Sequence, residues 1–74
     1  MMDAVFVITD SNGNPVKRVR SFGLITDLVE EHDEWFENGK ATISTGSFKY
    51  EFDKTVKPQD IRNSYYDYMG YPRL

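Results

Sequence analysis

Apolar and polar positions recur along this chain with two periods, and the switches between them outline four strands and two helices. Residues 4–9, Ala-Val-Phe-Val-Ile-Thr, are apolar and β-branched on both faces, as in an interior strand. Asp10-Ser-Asn-Gly-Asn-Pro15 predicts a turn. With Asn12-Gly13 as a two-residue type I′ turn, Ser11 pairs with Asn14, Asp10 with Pro15 and Phe6 with Val19. Val5 and Val7 then face Arg20 and Arg18 on the reverse side of the hairpin.

The period changes beyond Ser21. Leu24, Ile25, Leu28, Val29, His32, Trp35 and Phe36 recur at the spacing of one helix face, which predicts a single helix running to Asn38-Gly39. Ser21 or Thr26 is the expected cap. His32 falls near the middle of the apolar arc, so it is expected as a hydrogen-bonded core histidine. Residues 40–53 predict a second hairpin around Thr45-Gly46. Ser44 would pair with Ser47, Ile43 with Phe48 and Ala41 with Tyr50. Phe48, Tyr50 and Phe52 alternate with Lys49 and Glu51, so one face of that strand is apolar and the other wet. Pro58 opens a second helix at a position that needs no N–H. Its expected core face carries Ile61, Tyr65, Tyr68 and Met69, and Gly70 ends it. The order ββαββα packs most economically as an α+β domain: a mainly antiparallel four-stranded sheet with both helices on one face. Residues 1–74 are expected to form a single small domain, with 70–74 as a tail.

Composition narrows the class. An apolar share of 39% with 15% aromatics is enough for a core, which argues against disorder. There is no cysteine, so neither a disulfide framework nor a thiolate metal site is available. No apolar run reaches the roughly 20 residues of a membrane span, and residues 1–9 lack the pattern of a secretory signal. The expectation is a full-length cytoplasmic protein without a cofactor.

Charge changes the picture most. Asp27, Glu30, Glu31, Asp33, Glu34 and Glu37 lie together with no intervening base, and they centre opposite the apolar arc. These six acids carry −6 in a chain of net charge −3, which leaves +3 on the remainder. A face needed only for solubility normally mixes signs, because like charges four apart weaken a helix. The pattern predicts a docking surface for the basic groove of a protein partner, with the acids imitating nucleic-acid charge. The competing reading is a solvated face that keeps the chain soluble. Tyr66 and Tyr71 fall off the core face of the second helix and are the expected aromatic anchors beside the acids.

Three bases on one strand, Lys17, Arg18 and Arg20, form an alternative phosphate-binding set, although Val19 between them offers no stacking surface. A third possibility is self-association of the acidic helix with the basic remainder of another copy. Asp10-x-Asn12-x-Asn14 opens like a calcium loop. Pro15 and Ser21 stand where that loop needs glycine and glutamate, so no metal is expected. Enzyme chemistry is not expected either. Ser44, Thr45 and Ser47 flank a glycine as turn residues, there is no cysteine nucleophile, and His32, the one general base of near-neutral pKa, is expected to face the core. In size, charge and acidic helix the chain resembles the small virus-encoded inhibitors that bind host proteins, some of which imitate DNA. That resemblance implies partner binding and assigns no residue roles.

Overall fold

A computed structural model describes residues 4–70. Four antiparallel strands, β1 (Phe6–Thr9), β2 (Pro15–Val19), β3 (Ala41–Thr45) and β4 (Phe48–Phe52), form one open sheet in the order β2-β1-β3-β4. Two helices, α1 (Ile25–Glu31) and α2 (Pro58–Met69), complete the expected ββαββα order. Phe6, Ile8, Ile43, Phe48 and Phe52 project from one face of the sheet into a core shared with Ile25, Leu28, Trp35, Ile61 and Tyr65. Both helices therefore cover the same face. The doubly apolar strand β1 is interior, as its composition requires.

The first hairpin keeps the expected Phe6–Val19 pairing but closes differently. A bulge between Ile8 and Thr9 brings Pro15 opposite Thr9 rather than Asp10. Gly13 alone takes a left-handed φ, 88°, whereas a type I′ turn would require Asn12 to take one too. The reason lies in the Asp10 side chain. Its Oδ1 accepts the N–H groups of Asn12 and Asn14, each at 2.9 Å, which favours a three-residue loop. The second hairpin is displaced by two residues from its expected register: Ala41 faces Phe52, Ile43 faces Tyr50 and Thr45 faces Phe48. Its loop is Gly46-Ser47, with Gly46 supplying the positive φ of 54°. A slip of two preserves the alternation of faces, so the same side chains are buried.

The expected continuous helix from residue 24 to residue 38 is broken. Ser21 Oγ accepts the Gly23 N–H at 3.1 Å and caps a 3-10 turn, Phe22–Leu24, that runs directly into α1. Thr26 lies inside α1, and Leu24 is 54% exposed instead of buried. At His32 the backbone leaves the helix (φ −129°, ψ 65°), and a second 3-10 turn, Asp33–Phe36, follows. Tertiary bonds compete with helix continuation there. The Trp35 carbonyl accepts the Ser11 N–H at 2.8 Å, and the Asn38 N–H donates to Ser11 Oγ at 2.9 Å. Repulsion among the acids adds to the cost of continuing the helix. The break tucks Trp35 into the core and turns His32 outward.

In α2, Pro58 opens the helix and Gly70 closes it at φ 80°, both as expected. Ile61 and Tyr65 are buried, whereas Tyr68 is 48% exposed and Met69 is exposed with it. The core face of α2 is therefore narrower than its apolar stripe.

Candidate functional site

All six acids reach solvent, but on two differently oriented segments. Asp27, Glu30 and Glu31 stand on α1, while Asp33, Glu34 and Glu37 surround the following 3-10 turn. Beneath them Ile25, Leu28, Val29 and Trp35 are buried and hold the segment against the sheet. Two acids have partners within the chain. Asp33 meets Lys54 Nζ at 2.7 Å, and Glu34 Oε2 lies 2.9 Å from His32 Nδ1. That hydrogen bond holds the Glu34 carboxyl below its usual range. Among the described residues Asp27, Glu30, Glu31 and Glu37 form no ion pair.

His32 is not in the core as expected. Its side chain is 34% exposed, and its ring stacks flat on Trp35 with centroids 4.4 Å apart. An imidazole that terminates a helix can bond an acid two residues on, which a continuous helix would carry to another face.

The aromatic and basic candidates are arranged differently from the sequence expectation. Tyr71 lies outside the described residues. Tyr66 lines a cleft of about 310 Å³ with Ala4, Phe6, Arg20, Ser21, Phe22, Arg62 and Tyr65, and none of the six acids reaches it. The cleft lies at the open end of the first hairpin, beside Ala4 and Arg20. The segment 33–38 is bonded to the closed end, through Ser11 and through Asn12, whose Oδ1 accepts from Asn38 Nδ2. The structure thus brings Tyr66 to two arginines and separates it from the acidic turn.

The three bases of the β2 region also part company. Lys17 faces Ile8 and Arg18 faces Val7, so they project from opposite sides of the edge strand. β1 begins at Phe6 and β2 ends at Val19, so the expected pairing of Val5 with Arg20 is not formed, and Arg20 lies beyond the strand, where it lines the cleft. The uncovered sheet face carries Val7, Arg18, Thr42, Ser44, Lys49 and Glu51, none of them an aromatic on which a base would stack.

Arg62 is the cleft residue that sequence reasoning missed. Its spacing of four from Tyr66 places the two on one helix face and was visible. That it lines the same cleft as Arg20 depends on α2 packing its Tyr65 against Phe6 and Phe22.

Among the described residues, no cluster of three or more His, Asp or Glu is arranged to hold a metal ion, and no helix is long and apolar enough to cross a membrane. Compared with protein-family models, with curated proteins and with solved structures, the chain matches none.

Proposed function

We propose that this is a non-enzymatic cytoplasmic protein that docks its acidic flank onto the basic surface of a protein partner and modulates or inhibits it. The carboxylates would stand where the partner otherwise meets phosphate. One observation carries the reading: Asp27, Glu30, Glu31 and Glu37 are exposed and without an ion pair among the described residues, on a segment anchored by Ile25, Leu28, Val29 and Trp35. Unpaired like charges oppose folding slightly, and they attract a basic groove at long range. A buried backing keeps their spacing constant, so little ordering cost is added on binding.

The test uses Glu30→Lys, Glu31→Lys and Glu37→Lys in one variant. It leaves Asp33 to Lys54 and Glu34 to His32, so the intrachain pairs survive. Wild type and variant serve as baits in lysate of the cells that make the protein, at low and moderate salt. A basic partner held stoichiometrically by wild type alone, and released by salt, is the expected result. Equal capture by both folded baits would reduce the acidic flank to a solvated face.

A further inference from the structure

We propose that the cleft between the open end of the first hairpin and α2 binds a small organic carboxylate: a single ring or short aliphatic body with one carboxylate head. Phe6, Phe22 and Tyr65 make its floor, with ring centroids 4.7, 5.0 and 5.9 Å apart in tilted and edge-on contacts. Arg20, Arg62 and Tyr66 form its rim. The volume of about 310 Å³ stands at the lower end of the roughly 300–1,000 Å³ of small-molecule sites, which suits one ring and one head group.

The charge of the cleft runs against that of the whole chain. In a protein of net charge −3, two arginines line one largely apolar depression, and among the described residues neither meets a carboxylate. Arg62 donates from Nη1 to Gln59 Oε1 at 3.1 Å, which orients its planar fork and leaves other donors free. Planar forks match a carboxylate in geometry, and the aromatic floor rewards an apolar body attached to it. The six acids lie elsewhere, so the site does not depend on the acidic flank.

Phenylacetate is the probe, followed by amide NMR of the full chain, with phenylacetamide and acetate as controls. Saturable shifts are expected at Ala4, Phe6, Ser21, Arg62 and Tyr66 with phenylacetate. The amide lacks the charge and acetate lacks the ring, so each is expected to bind far more weakly. Arg20→Gln and Arg62→Gln should each weaken binding about tenfold or more. Trp35 fluorescence, reporting the distant core, should stay unchanged in both.

No saturable shift with phenylacetate, equal binding of the amide, or unchanged affinity in both folded variants would each overturn the proposal. So would ligand-free Arg20→Gln/Arg62→Gln protein in which the amides of residues 71–74 shift, since that result would make the chain's own segment 71–74 the partner of the two arginines.

Discussion

Gly13 occupies a φ of 88° at the tip of the first hairpin, with nothing within 4 Å of where a Cβ would stand. A substitution there meets no clash, so its cost is backbone strain alone. Gly13→Ala is expected to lower stability by about 1–2 kcal/mol in urea unfolding without changing the folded spectrum. Gly13→Asn should cost less, because asparagine tolerates the left-handed region better. Asp10 works from the other side of the loop, where its two accepted N–H bonds set the loop length. Dipeptide preference pointed to Asn12-Gly13 as the turn, and a single carboxylate two residues earlier redirected it.

Elements in this fold are joined by short side-chain locks rather than by long regular segments. Asp53 Oδ1 accepts both the N–H (2.9 Å) and the hydroxyl (2.6 Å) of Thr55, at the turn that carries β4 into α2. The Thr55 hydroxyl and N–H hold the Asp53 carboxyl below its ordinary value of 3.8. A carboxyl depressed in the folded state stabilises it fully above the unfolded value, and the effect fades as pH falls through the folded value. The stability difference between wild type and Asp53→Ala should therefore hold steady above about pH 5 and shrink in acid. Urea unfolding across pH measures it, and a difference independent of pH would show that the carboxylate form is not what the turn uses. The break after α1 follows the same logic at larger scale. A seven-residue helix makes few internal bonds, and the tertiary bonds from Ser11 and Asn38 replace those it forgoes.

The whole molecule is electrostatically uneven. Acids line α1 and gather toward the closed end of the first hairpin, while Arg20 and Arg62 stand at its open end. Self-repulsion within the acidic flank is screened by salt over a Debye length of about 10 Å at 0.1 M. Moderate salt should accordingly raise the melting temperature of wild type, and raise that of the Glu30→Lys/Glu31→Lys/Glu37→Lys variant less. Thermal unfolding at two ionic strengths reads the difference. An equal response would mean that the acids are too well solvated to repel one another. The open sheet face, polar around Val7 and without a helix over it, adds no competing aromatic surface.

Local sequence alone, read as periodicity, composition and proline chemistry, determined the element order, the interior place of β1, the start of α2 at Pro58 and the exposure of all six acids. Each depends on contacts within a few residues or on a two-residue alternation that survives a change of register. The same locality made Asp27, Glu30, Glu31 and Glu37 legible as an exposed set. Strand order, the three-residue loop at Asp10, the break at His32 and the union of Arg20 with Arg62 and Tyr66 were decided only in three dimensions. They turn on partners distant in sequence: Ser11 on Trp35, Asn38 on Ser11, α2 on the end of β2. A helix pattern records which residues want burial. It does not record where a neighbouring loop offers a better bond than the next helical turn. His32 shows the difference, since the pattern placed it inward and the stack on Trp35 leaves about a third of it in solvent.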